Sequence, residues 1–327
     1  MTADQLSIVG TGLALQPSAL VVDRMAARGV DSSKYKGWTR HCVAPDSEHP
    51  STMGGAALDR ALAAAGCAPE DLRLLLSIGL SREYLPNWSV AAEVMRLSKV
   101  PHGCLGFDIL VGCLGTLTGL EIARGWLRGL GGGYAAIVGA ERWTHTVPPD
   151  PKVEGMWGFS DGAGACIVAL GPHERTLCTY VDAVFSSHTS LNGFILIKYG
   201  GTVNPQPPPE EQHAYLRHID VSKGLTMFTT YVQEYTRVIN ALLDRHRVRP
   251  DWIVCNQISP TLLAKLAEIA KIEPARVYST GHELGHLGSA DIILGLQRLA
   301  EAEQLHGNIV LVASTAYGFG AALVTAP

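Results

Sequence analysis

Of the seven cysteines in this 327-residue chain, Cys113 sits where a thiol would be reactive. It closes the apolar run Ile109-Leu110-Val111 in the frame Gly112-Cys113-Leu114-Gly115, and a segment apolar on most helical faces follows it. A cysteine at a helix N-terminus meets free N–H groups and the positive end of the helix dipole, which favour the thiolate. Glycines on both sides let another backbone or a thioester come close. The chemistry implied is nucleophilic attack by sulfur on an acyl group. The bland alternative is a small buried hydrophobe, the usual fate of a free cysteine, and Cys104 and Cys255, which lack the glycine frame, fit it better.

The elements that must position Cys113 read twice along the chain. Ala56 to Ser77 and Val238 to Gln257 each give an amphipathic helix, a connector with proline and a buried strand. Ile109 to Leu127 reads as a helix leading to a strand Tyr134 to Gly139, and Ser289 to Ala302 as a helix leading to a strand Asn308 to Ser314. This spacing predicts a duplicated α/β fold with halves 1–172 and 173–327, joined in the Leu170 to Arg175 region. The proline-rich stretch Phe185 to His218 reads as an insertion or lid loop.

Composition narrows the function classes. With 47% hydrophobic and 17% charged residues, the chain can bury a large core. A net charge of −4 gives no general attraction to nucleic acid or to an anionic membrane. The cysteines show no CxxC spacing, and Met1-Thr2-Ala3-Asp4 carries an acid where a secretion signal carries positive charge. A disulfide framework, a metal site and export are not expected, and a cytoplasmic location is.

Several blocks, in order, make the sequence similar to β-ketoacyl-acyl-carrier-protein synthase III of the thiolase superfamily. They are Trp38-Thr39-Arg40 with Ser51-Thr52-Met53-Gly54, then Asn87-Trp88-Ser89-Val90-Ala91, then Phe107-Asp108 through Cys113 and Gly115. Phe159-Ser160-Asp161-Gly162-Ala163-Gly164-Ala165 and Tyr317-Gly318-Phe319-Gly320-Ala321-Ala322-Leu323 complete the set. The resemblance implies a thiolase fold of five αβαβα layers, a homodimer and an acyl-enzyme on Cys113. It further implies no tightly bound cofactor, an acyl-CoA or acyl-phosphopantetheine substrate, and an acyl carrier protein or CoA thioester as donor.

The departures from the family pattern are informative. Its condensing members carry a His in a His-Gln-Ala-Asn block and an Asn in a Gly-Asn-Thr-Ser block. Here those blocks read Cys255-Asn256-Gln257-Ile258-Ser259 and Gly285-His286-Leu287-Gly288-Ser289, so the two residue types have exchanged places. In condensation both residues donate hydrogen bonds to the malonyl thioester carbonyl, and such donors must be placed within a fraction of an ångström. Transfer without decarboxylation asks only for a thiolate, an oxyanion hole and a base, and His286 can serve as that base with Asp291 orienting it. Asn256 remains a hydrogen-bond donor, and His282 is a weaker alternative base.

On this reading the chain resembles the acyltransferases of polyketide antibiotic pathways, which move an acyl group to a carrier protein, hydroxyl or amine. A decarboxylative starter-unit synthase and a catalytically silent partner subunit are the alternatives. The resemblance implies an oxyanion hole from the Cys113 N–H and a backbone N–H near Ala316 and Gly318. It also implies CoA contacts from Trp38 by stacking and Arg40 by charge. Thr261, where the family carries a basic residue, weakens that docking patch. Tyr84 and Trp88, in the loop Ser81 to Trp88, favour a short or flat acyl group.

Overall fold

The computed structural model describes residues 5–84, 87–146, 157–197, 199–209, 217–219 and 224–327. The runs rich in Leu, Ile, Val and Ala become ten strands of one mixed sheet, most of them buried on both faces. They are β1 (Leu6–Leu15), β2 (Leu72–Ser77), β3 (Leu105–Asp108), β4 (Tyr134–Arg142) and β5 (Asp161–Leu170), then β6 (Cys178–Ser187), β7 (Trp252–Cys255), β8 (Val277–Tyr278), β9 (Gly307–Ser314) and β10 (Gly318–Ala326).

Across the sheet the order is β8-β7-β9-β10-β6-β1-β5-β4-β2-β3. Adding five to each strand of the series β3-β2-β4-β5-β1 gives β8-β7-β9-β10-β6, so the topology of the first half repeats in the second. The pairings repeat too. β2 runs parallel to β3 and β4, as β7 does to β8 and β9, while β4–β5 and β9–β10 are antiparallel. The halves meet where β1 pairs antiparallel with β6, Leu6 opposite Tyr180 and Ile8 opposite Cys178.

Helices cover both faces of each half in layers. Pro50–Ala65 packs Met53, Leu58 and Leu62 on the outer face of the first half, and Gly224–His246 with Pro260–Ala270 covers the outer face of the second. Between the halves lie Gly115–Leu130 and Asp291–Glu301, whose Leu117, Leu120, Ile292 and Leu296 form the central core with residues of both. A fully buried Leu or Ile contributes about 1.5–3 kcal/mol, so this central layer is a large share of the drive to bring the halves together.

The two central helices begin later than their apolar patterns suggest. Each is preceded by a single 3-10 turn, Gly112–Leu114 before one and Gly288–Ala290 before the other. Both turns open on a glycine in the left-handed region, Gly112 at φ 57° and Gly288 at φ 65°. The apolar run 109–111 is therefore an approach to the helix and not its first turn.

Close packing of β1 on the outer helix depends on Gly12. A Cβ there would lie 2.3 Å from the Ala57 carbonyl oxygen and 2.5 Å from the Ala61 nitrogen, both backbone atoms that cannot step aside. Gly12→Ala is expected to cost about 1–3 kcal/mol, read as a lower urea midpoint at unchanged slope. An unchanged midpoint would show that the helix can move off the sheet.

Of the expected lid, Phe185 to Ser187 belong to β6, part forms a short ribbon in which Ile195–Ile197 pairs with Arg217–Ile219, and residues 198 and 210–216 lie outside the described residues. Among the described residues no helix is long and apolar enough to cross a membrane, and no cluster of His, Cys, Asp and Glu could hold a metal ion.

Candidate active site

The chain leaves β3 with Ile109 N–H bonded to the Ser77 carbonyl at 2.7 Å, and the positive φ of Gly112 turns it into the 3-10 turn that carries Cys113. Near the start of that turn, the Cys113 N–H has no acceptor within the helix. A Cβ on Gly112 would lie 3.0 Å from Thr315 Oγ1, so the tip of the β9–β10 hairpin closes over the glycine. Gly318, on the same hairpin, lies against Leu114, which puts the expected oxyanion segment, Ala316 to Gly318, beside the turn that carries Cys113.

His286 comes from the other half. Its N–H donates to the Gly158 carbonyl at 2.8 Å, and its carbonyl accepts from Ser160 N–H at 2.9 Å, so the residue is held like a short piece of strand beside Phe159. The residue is 2% exposed, and the Phe159 ring lies 5.1 Å away, centroid to centroid. Its Nε2 is 3.3 Å from Cys113 Sγ, and its Nδ1 donates to Asp291 Oδ2 at 2.5 Å.

Asp291 is the first residue of its helix and is fully engaged. Oδ2 also accepts Gln257 N–H at 2.7 Å, and Oδ1 accepts Leu287 N–H at 2.9 Å. The three side chains thus form a Cys–His–Asp relay built from two helix starts, one in each half. His282, the alternative base, packs edge-on against Trp38 at 4.9 Å and is not in this chain of contacts.

Burial pushes the His286 imidazole toward its neutral form, but the charges of Cys113 and Asp291 and its bonds to both outweigh this and hold it up at about 10. An imidazolium beside a sulfur is the partner that a thiolate nucleophile requires. A histidine raised from 6.5 to about 10 adds stability below pH 6.5 that is lost as pH climbs toward 10. The thermal midpoint of the wild type is therefore expected to converge on that of His286→Gln over this range. Parallel curves would mean a neutral imidazole.

Other expected residues have different surroundings from those the pattern implied. Asn256 Nδ2 donates to the Gly288 carbonyl at 3.0 Å, and its Oδ1 accepts Ser314 N–H at 3.3 Å. It is a donor, but this donation goes to backbone and ties the Gly288 turn to the end of β9. Trp38 requires a correction: at 2% exposure it is a buried wall, with its indole N–H bonded to the Gln257 carbonyl at 2.6 Å, and it offers no open face to an adenine. Arg40 turns to Ser18, bonding its hydroxyl at 2.9 Å and its carbonyl at 3.0 Å.

Tyr84 and Trp88 meet edge-on at 5.6 Å on the wall of a cleft of about 1010 Å³, while Leu85 and Pro86 between them lie outside the described residues. Leu80 and Trp143 also line the cleft; Leu80 packs beside Gly112, and Trp143 lies near Gly288 and 5.3 Å from Phe159.

Two residues were missed. Gln257 joins the site from its backbone and side chain, its Oε1 accepting from Thr280 and Gly281 N–H, both at 3.1 Å. Glu141, at the end of β4, accepts Leu80 N–H and Ser81 N–H at 3.0 Å and the Ser81 hydroxyl at 2.7 Å. Burial pushes its carboxyl up to about 7 against these bonds and the charge of His286. The signal for Glu141 was a lone acid closing the apolar strand Tyr134 to Ala140.

A profile for 3-oxoacyl-acyl-carrier-protein (ACP) synthase III matches residues 107–187, and the profile for its C-terminal region matches residues 245–326. The chain is 24% identical to β-ketoacyl-acyl-carrier-protein synthase III of Blochmanniella floridana, over 96% of each chain. It is likewise 24% identical to the protein of that name from Synechocystis, over 98% of this chain and 96% of that one. Among solved structures it is similar to 3-oxoacyl-(acyl carrier protein) synthase III of Pseudomonas aeruginosa, with a TM-score of 0.84 at 20% identity over 99% of this chain and 98% of that one. A variant of Xanthomonas campestris OleA superposes with a TM-score of 0.82 at 21% identity over 98% of each chain.

Proposed function

For a chain that belongs to the 3-oxoacyl-acyl-carrier-protein synthase III family of the thiolase superfamily, we propose acyl transfer without decarboxylation. The observation that carries this reading is the unbroken contact from Cys113 Sγ through His286 to Asp291.

The Cys113 thiolate attacks the carbonyl of an acyl-CoA or acyl-phosphopantetheine thioester, and the oxyanion is received by the Cys113 N–H and an N–H of the Ala316–Gly318 segment. As the carbon–sulfur bond to the donor breaks, the departing thiolate takes the proton from His286. The now neutral imidazole accepts the proton of the acceptor hydroxyl, amine or thiol as that atom attacks the acyl-enzyme. Cys113 leaves as thiolate, and the pair is restored. Asp291 holds the ring in the tautomer that both steps need. The acceptor is a carrier protein or a small molecule of a polyketide pathway, and the working unit is a homodimer.

Two features support transfer over condensation. The exchange of types leaves one imidazole, already committed to Cys113, and Asn256 is bonded to backbone on both sides of its amide. Decarboxylative condensation is the second reading, carried by the relatives' name. The deciding assay offers the acyl-enzyme either malonyl-carrier protein or a nucleophilic acceptor. Carbon dioxide release with a β-keto product would sink the transfer reading.

A further inference from the structure

The hairpin between β9 and β10, whose tip closes over Gly112, is gripped from its far side by two phenols. Tyr231 and Tyr235 lie one turn apart on the helix Gly224–His246, so both project from one face of it. The Tyr231 hydroxyl donates to the Thr315 carbonyl at 3.0 Å and to the Ala316 carbonyl at 3.3 Å. The Tyr235 hydroxyl donates to Ser314 Oγ at 2.7 Å, and burial pushes this phenol well above its usual range, so it stays a donor. Both rings meet Phe319 edge-on, at 4.9 Å and 5.6 Å, and all three residues are buried. The Tyr317 carbonyl is tied separately, to His188 N–H at 2.7 Å.

Side chains alternate across β10: Phe319 packs with the two tyrosines in the outer core, while Gly318 and Gly320 lie against Leu114, next to Cys113. The phenols and the turn that carries Cys113 are therefore on opposite faces of the sheet. A planar trans peptide points a carbonyl and the N–H that follows it in opposite directions. With the Thr315 and Ala316 carbonyls held toward Tyr231, the Ala316 and Tyr317 N–H groups are turned to the side of Cys113. An oxyanion donor is effective only when placed within a fraction of an ångström, and a hairpin tip has no ladder to hold it there. We infer that Tyr231, supported by Tyr235, is a positioning residue for the oxyanion hole, its hydroxyl aiming the N–H groups of the hairpin tip at a thioester carbonyl on Cys113. The inference rests on the acyl-enzyme reading of Cys113 and adds the residues that set the geometry of the hole.

The test compares two reactions of Cys113 in the wild type and its variants. Acetylation by acetyl-CoA or p-nitrophenyl acetate passes through a tetrahedral oxyanion, whereas alkylation by iodoacetamide, a displacement at saturated carbon, does not. Single-turnover rates at Cys113 are followed by intact mass and peptide mapping. Tyr231→Phe keeps the ring and removes the hydroxyl. It is expected to lower the maximal acetylation rate by roughly tenfold, with half-saturating acetyl-CoA unchanged and alkylation within about twofold of the wild type. Tyr235→Phe, which frees Ser314 Oγ alone, should act in the same direction by less. Should Tyr231→Phe not fold, Tyr235→Phe decides on the same criterion. Acetylation and alkylation falling in parallel, as a general loss of structure or of thiolate would cause, or acetylation untouched, would overturn the inference and leave the wild-type acetyl adduct standing. No acetyl adduct on wild-type Cys113 from either donor would remove the acyl-enzyme reading, and this inference with it.

Discussion

Incubated with an acyl-CoA thioester it can use, the protein is expected to gain one acyl mass that maps to Cys113, and Cys113→Ala is expected to gain none. The effect is all or nothing because an acyl-enzyme needs a covalent acceptor. Six other cysteines are present, yet Cys42, Cys166, Cys178 and Cys255 lie buried, with burial raising their thiols well above the usual range. Only a thiolate attacks a thioester quickly, and none of these has an imidazolium beside it among the described contacts. Labelling of another cysteine with Cys113 left bare would sink both the nucleophile and the relay.

His286→Ala is expected to lower acceptor-side transfer by roughly 10²–10⁴-fold, the usual range for removing a positioned acid–base group. Loading of Cys113 should slow as well, since the sulfur loses the cation at 3.3 Å. Asp291→Asn should follow in the same direction, because an amide cannot stabilise the imidazolium and can present its NH2 to the ring. Asn256→Ala should act differently. It releases the Gly288 carbonyl and the Ser314 N–H, so it should cost about 1–3 kcal/mol of stability with a smaller change in rate. Single-turnover release of a preformed acyl-enzyme to an acceptor, set beside urea midpoints, separates the two behaviours. Equal rate losses in His286→Ala and Asn256→Ala would remove the base assignment.

Much of the scaffold was legible because periodicity is a local property. The helix-then-strand units recur in the sequence, and the sheet repeats them strand for strand. The first central helix starts later than its apolar pattern suggests, since the approach segment 109–111 and a buried helix look alike until a positive-φ glycine is located, and the second starts later by the length of a 3-10 turn. The block around Trp38 implies stacking on coenzyme A, but the indole is buried. Its burial is decided by Gly158 and Gly281, which are distant in sequence and have no side chains to keep the indole out.

By itself the sequence singled out Cys113, framed by Gly112 and Gly115, as the expected nucleophile, together with the exchange that puts His286 where the condensing members of the family it resembles carry Asn and Asn256 where they carry His. Only the tertiary structure decided what those residues touch. Cys113 and His286 are 173 residues apart, and they meet because the apolar faces of the two central helices bury against each half of the sheet and bring the two helix starts together. That packing also turned Asn256 toward the Gly288 carbonyl. Side-chain direction across an interface of this kind follows from how the layers settle on one another, and no spacing along the chain encodes it.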